Sequence, residues 1–202
     1  MTDFISVGHL RLLTILIVAL PNFMGAQLPK SDTTIYFANY SVRYSEALLQ
    51  PLEVWYKVVC PEPNGFGRFH FSDRIGDSLN LRTSGNKHYV NNDWDKGHMA
   101  PSASLDCSKR DKELTYTYLN CALQNDSLNQ KVWKYLENHE RLLATEAEVS
   151  VHVKLEFSEE QIFGARIPSG FYKTISIDGD SIRYYFPNER PVSKNFEYYR
   201  CE

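Results

Sequence analysis

A chain of 202 residues with 43% hydrophobic and 23% charged side chains is too apolar for a disordered protein and long enough to bury one substantial core. Its formal net charge of −3 excludes capture of nucleic acid by a global cationic field. Any polyanionic ligand has to be met by local Lys and Arg, helped by a metal ion.

The N-terminus reads as an export signal. Arg11 precedes the apolar run Leu12–Leu20, and Met24-Gly25-Ala26 places a small residue before Gln27. The run is short for a membrane span. Residues 1–26 are therefore expected to be a signal peptide, and 27–202 a single secreted or periplasmic domain with no membrane partner. Cys60, Cys107, Cys121 and Cys201 follow, an even set that permits two disulfides in three connectivities. The chain has no CxxC pair of the kind that builds a zinc site.

Thr34-Ile35-Tyr36-Phe37 predicts a first strand, and Glu53–Cys60, rich in β-branched and aromatic residues, predicts another. Pro61-Glu62-Pro63-Asn64-Gly65 marks a turn, Phe66–Asp73 a further short strand, and 77–92 a loop with a turn at Ser84-Gly85-Asn86. Thr115–Leu123 reads as the clearest strand of the middle region. The period then changes: Ser127-x-x-Gln130 has the form of a capping box, and Leu128, Val132, Tyr135, Leu136, Leu142 and Leu143 recur at helical intervals, so a helix is expected over 127–144. Glu148–Phe157 predicts a strand. Phe171–Ile177 and Ser181–Phe186 flank Asp178-Gly179-Asp180, a hairpin turn. The fold class is α+β with a largely antiparallel sheet.

The chemistry concentrates in Asp95-Lys96-Gly97-His98-Met99-Ala100-Pro101 and the helix that follows. Histidine titrates near neutrality and suits a general base. Gly97 permits close backbone approach beside it. Lys96 can steady charge on phosphorus. Asn129, Trp133 and Glu137 are four apart in turn, on neighbouring turns of the helix. An amide oxygen at Asn129 can ligate a hard cation that keeps most of its water, with Glu137 acting farther out; Trp133 reads as core.

The heptapeptide resembles the Asp-Arg-Gly-His signature of the DNA/RNA non-specific endonucleases, a family of the ββα-metal (His-Me finger) superfamily. Leu119-Asn120, Gln124, Leu128-Asn129-Gln130, Trp133 and Leu136-Glu137 are similar to its second block, and the similarity extends from about Glu53 to Asn188. The resemblance implies a ββα-metal fold with a central metal-site helix, and a Mg²⁺-dependent endonuclease, with Mn²⁺ able to substitute, acting on DNA and RNA. It implies His98 as general base, Asn129 as the sole direct protein ligand of the metal, and Glu137 acting through water. Asn120 would fix the histidine segment, while Arg68 and Lys96 would meet phosphate. Two departures stand out: Lys96 replaces the usual arginine, and Leu123-Gln124 replaces Pro-Gln. The lysine and the low charge also frame a rival expectation, a catalytically weakened nucleic-acid-binding protein of the same fold.

Overall fold

Among the described residues, alternation of inward Val, Tyr, Ile and Phe with outward polar residues builds a seven-stranded antiparallel sheet. The computed structural model describes residues 32–202, so the expected signal peptide lies outside the described residues. In chain order the elements are β1 (Thr33–Tyr36), β2 (Tyr40–Ser45), β3 (Gln50–Lys57), α1 (Arg74–Ser78), β4 (Trp94–His98), α2 (Lys109–Thr115), β5 (Cys121–Asn125), α3 (Asp126–Leu128), α4 (Lys134–Leu143), β6 (Val149–Ile162), β7 (Ala165–Ile177), β8 (Asp180–Pro187) and β9 (Arg200–Cys201). The main sheet runs β1-β2-β3-β6-β7-β8-β9, and β4 with β5 forms a separate two-stranded antiparallel ribbon. Adjacent strands β3 and β6 are thus joined by residues 58–148, and this excursion carries both the ribbon and the helices.

Two cores hold the excursion in place. Leu128, Val132, Trp133 and Leu136 pack against the inward residues of the sheet, among them Val54, Val153, Phe171 and Phe186. Trp133 is fully buried, its ring meeting Phe171 and Phe186 edge-on at 5.4 and 5.5 Å. Burying a side chain of that size stabilises the domain by roughly 3 kcal/mol. A smaller cluster of Tyr89, Tyr118, Cys121, Leu123, Ala165 and Ile167 ties the ribbon to the far end of the β6–β7 pair. Side chains complete the join: Gln50 Oε1 accepts from Leu123 N (3.1 Å), Asn188 Nδ2 donates to the Leu123 carbonyl (2.9 Å), and Asn188 Oδ1 accepts from Asn125 N (2.7 Å).

Several local expectations are corrected. Residues 66–73 form no strand; Ser72 makes only an isolated parallel bridge to Thr117. Thr115–Leu123 is not one strand. Thr115 closes α2, Tyr118–Asn120 is a 3₁₀ turn, and pairing starts at Cys121, because buried Asn120 donates back to the Thr115 carbonyl and bends the chain. The site helix begins on Asn125, whose side chain accepts from Leu128 N, rather than on a Ser127 capping box. Asp178 and Gly179 both take positive φ, as the hairpin reading requires. One disulfide forms, Cys60–Cys107; Cys121 is buried and free, and Cys201 is free and half-buried. No helix among the described residues is long and apolar enough to cross a membrane.

The disulfide closes a loop across a sequence separation of 47 and pins both ends of the site-bearing excursion's first half. Replacing Cys60 and Cys107 together by Ala is expected to lower the unfolding free energy by about 2–4 kcal/mol, read by denaturant titration under non-reducing conditions.

Candidate active site

Strand β4 is the signature segment itself, paired so that Gly97 faces Ala122 and His98 faces Cys121. Gly97 is required by proximity. A Cβ there would lie 2.3 Å from Gln124 Oε1 and 2.7 Å from its Cβ, and Gln124 is fully buried with nowhere to retreat. Beyond His98 the chain is clamped by Asn120. Met99 N donates to the Asn120 carbonyl (3.0 Å), Ala100 N donates to Asn120 Oδ1 (2.8 Å), and Asn120 Nδ2 donates to the Ala100 and Thr115 carbonyls (2.9 and 3.1 Å). Every polar atom of this buried amide is used to fix the backbone next to His98.

The imidazole of His98 sits between two rings, tilted against Phe71 at 4.6 Å and edge-on to Tyr116 at 4.7 Å. Its Nε2 is buried and has no hydrogen-bond partner. Burial, with the Arg68 guanidinium adding to it, lowers the imidazole pKa to about 3. At neutral pH the ring is therefore uncharged with a lone pair to offer; so low a value marks a weak base, and the negative charge of a phosphate in the cleft would raise it.

The helix is not regular. Between α3 and α4, residues Asn129–Trp133 form a π-helical turn. On an unbroken α-helix residues four apart are neighbours, which would put Trp133 between Asn129 and Glu137. The extra residue of the wide turn shifts Asn129 against the other two, while Trp133 and Glu137 remain neighbours, the indole N–H favouring the ionised carboxylate. Trp133 points into the core, while Asn129 and Glu137 both line the cleft. Wide turns of this kind recur at functional sites.

Asp95, on β4, orients the first of these side chains. Its Oδ2 accepts from Asn129 Nδ2 and from Gln130 Nε2, each at 2.8 Å. A carboxylate can only accept, so the Asn129 amide is fixed with its nitrogen toward Asp95 and its oxygen free for a cation. Glu137 is half-buried. Desolvation raises its carboxyl pKa to about 7, opposed by the Lys173 ammonium, reinforced by Glu140, and opposed again by Arg141 and the Trp133 indole. Among the described residues no three His, Cys, Asp or Glu side chains are grouped to hold a metal. The donor set here is one oriented amide oxygen with a carboxylate nearby, which fits a hard divalent cation that retains most of its hydration.

A cleft of about 880 Å³ gathers His98, Lys96, Arg68, Asn129 and Glu137, with Asn120 buried beneath the histidine segment. Lys96 donates to Asn86 Oδ1 (2.7 Å), and its ammonium lies 5.8–5.9 Å from the ring centroids of Tyr118, Phe71 and Tyr89. Asp95, Lys134 and Arg141 line the same cleft and were not singled out from the sequence. The signal for the two cations was present: Lys134, Glu137, Asn138 and Arg141 recur at three- and four-residue steps, one stripe of α4. Four cations (Arg68, Lys96, Lys134, Arg141) face two carboxylates here, a positive field inside a chain of net charge −3.

The family model for DNA/RNA non-specific endonucleases matches residues 23–201. Among solved structures the fold is similar to that described as the EndoG/EndoGI complex, solved to explain EndoG inhibition. The TM-score is 0.68 at 18% identity, covering 86% of this chain and 82% of that one. A comparison with curated proteins finds no significant match.

The raised pKa of Glu137 has a sign that can be tested. Its folded value of about 7 lies above the ordinary carboxyl value of 4.5. Folding therefore favours the protonated form, and this contribution is lost as pH rises from 4.5 through 7. Glu137→Gln is expected to stabilise the metal-free chain at pH 8 by about 1–3 kcal/mol and to change little at pH 4.5, measured by thermal melts at both pH values.

Proposed function

The chain belongs to the DNA/RNA non-specific endonuclease family, and we propose that it is an exported, divalent-metal-dependent endonuclease that hydrolyses phosphodiester bonds in DNA and RNA. In this reading β4, β5 and the following helix are a ββα-metal unit. The observation that carries it is the convergence, in one cationic cleft, of an uncharged His98 with a free Nε2 and an Asn129 amide whose oxygen is presented by Asp95.

His98 Nε2 accepts the proton of the attacking water as the new P–O bond forms and the P–O bond to the leaving sugar oxygen breaks. Asn120 keeps the imidazole aimed by holding Met99 and Ala100. Arg68 and Lys96 draw phosphate oxygens into the cleft and offset the charge that develops on phosphorus. Asn129 would hold Mg²⁺, with Mn²⁺ able to replace it, and the cation would supply Lewis-acid stabilisation of the leaving oxygen. Glu137 would accept hydrogen bonds from water on the side of the cation and would have to be ionised to do so well; near pH 7 this requires release of its proton. The cations grip phosphate, which carries no base identity, consistent with a substrate range of both DNA and RNA.

With Mg²⁺, the purified domain is expected to nick supercoiled plasmid and degrade RNA. EDTA abolishes both activities, and His98→Ala lowers them about 10³-fold while the circular dichroism spectrum and melting temperature are retained. Undiminished cleavage in chelator or by the His98 variant refutes the mechanism. Tight binding of DNA without cleavage by the wild type supports the rival, a binding protein on the same fold.

A further inference from the structure

Lys173 occupies an inward position of β7, in register with Val153 of β6 and Tyr184 of β8, where the pattern calls for an apolar residue. Its ammonium is fully buried, 2.7 Å from Glu140 Oε1 and 4.2 Å from the centroid of the Trp133 ring. Glu140 is equally buried. Its other oxygen accepts from the Tyr56 hydroxyl of β3 at 2.6 Å. An ion pair in this setting contributes little to stability compared with well-packed apolar side chains of the same volume; its attested use is to fix register.

The register at stake is that of the site helix. Trp133 ends the π-helical turn, and Glu140 lies seven residues on along α4, so the two share one face of a regular helix. Asn129 and Glu137 are eight apart. On an unbroken α-helix that spacing leaves them about 80° out of line, since each residue turns about 100°. The one extra residue in the wide turn returns them to seven-residue equivalence. Lys173 thus grips the helix from the sheet side at the end of the wide turn and two turns beyond it.

We propose that Lys173 is a positioning residue of the nuclease: its ammonium, wedged between Trp133 and Glu140, maintains the wide turn that puts Asn129 and Glu137 on one face of the helix. The ammonium lies outside the cleft and touches no substrate; it acts through the helix, and because its charge also favours ionised Glu137, amide exchange in the turn is the readout that isolates the positioning role. The functional consequence rests on the proposed nuclease reading, whereas the effect on the turn does not.

The test is the double variant Lys173→Met/Glu140→Gln, which removes both charges and leaves no buried ion unpaired. It is expected to melt near the wild-type temperature and yet bind Mn²⁺ about tenfold more weakly by calorimetry, with kcat reduced about tenfold and KM for DNA nearly unchanged. Amide hydrogen exchange across 129–134 is expected to quicken about tenfold. Wild-type exchange in the turn overturns the proposal, as do wild-type Mn²⁺ affinity and kcat in the folded double variant. If the double variant does not fold, Tyr56→Phe decides. Loss of one bond to Glu140 is expected to quicken exchange in the turn and weaken Mn²⁺ binding about threefold, and no change in either overturns the proposal. A wild-type protein that neither binds Mn²⁺ nor cleaves nucleic acid refutes the nuclease reading instead, and the exchange measurement still judges the turn.

Discussion

The cleft depends on one carboxylate. Asp95 Oδ2 accepts from the side-chain amides of Asn129 and Gln130, joining the signature strand to the helix that follows, next to the backbone bond from Asp126 N to the Asp93 carbonyl. The bond does two things at once. It sets the spacing between the strand that ends in His98 and the wide turn that begins with Asn129. It also fixes which end of the Asn129 amide faces the cleft, because an ionised carboxylate offers no donor. Asp95 stands opposite Gln124 on β5, and β5 runs through Asn125 straight into α3. Asp95 and Asn129 lie 34 residues apart in the chain but are brought together by the β4–β5 ribbon, and the tether closes that ribbon onto the helix.

The sheet's role is to hold that circuit rigid from behind. Gln50 and Asn188 reach from the sheet to the backbone of β5, Trp133 buries its ring against Phe171 and Phe186, and Asn120 ties the segment after His98 to the end of α2. What faces the cleft is, by contrast, poorly satisfied. His98 Nε2 is buried without a partner, and Glu137 is held against its ordinary ionisation. Local features of this kind destabilise a fold and persist where function uses them. They lie on the cleft side of the excursion, whereas the inner sheet face is closely packed.

The parts legible in the sequence were those with a local cause. The site helix showed through its apolar period, the 178–179 turn through Asp-Gly, and the signature through a glycine next to a histidine. The signature's strand character did not show, because Asp95, Lys96 and Gly97 are poor strand formers, and β4 exists only by pairing with β5. Thr115–Leu123 misled in the opposite way: its β-branched and aromatic residues favour extension, but Asn120 takes its hydrogen bonds backwards and breaks the run. The wide turn at Asn129–Trp133 has no compositional mark. The four-residue spacing of Asn129, Trp133 and Glu137 is that of a regular helix, and only the fold shows the tryptophan turned into the core while the other two line the cleft. Asp95 was in plain view within the signature, yet its role depends on a partner 34 residues away.

Lys96 shows how a departure from the family's pattern is absorbed by its surroundings. A lysine gives up the planar fork with which arginine engages two phosphate oxygens, and a flexible point charge usually loses precision with it. Here the ammonium is not left to wander. Asn86 accepts from it, and the rings of Phe71, Tyr89 and Tyr118 stand around it at nearly equal distances. Phe71 also packs on His98. The cation at 96 and the base at 98 therefore share a wall, and alternation along β4 sends both side chains to the same side of the strand. In the proposed reaction the phosphate oxygen held by Lys96 and the water facing His98 are brought together by that shared geometry. Orientation that an arginine would carry in its own shape is supplied by the pocket.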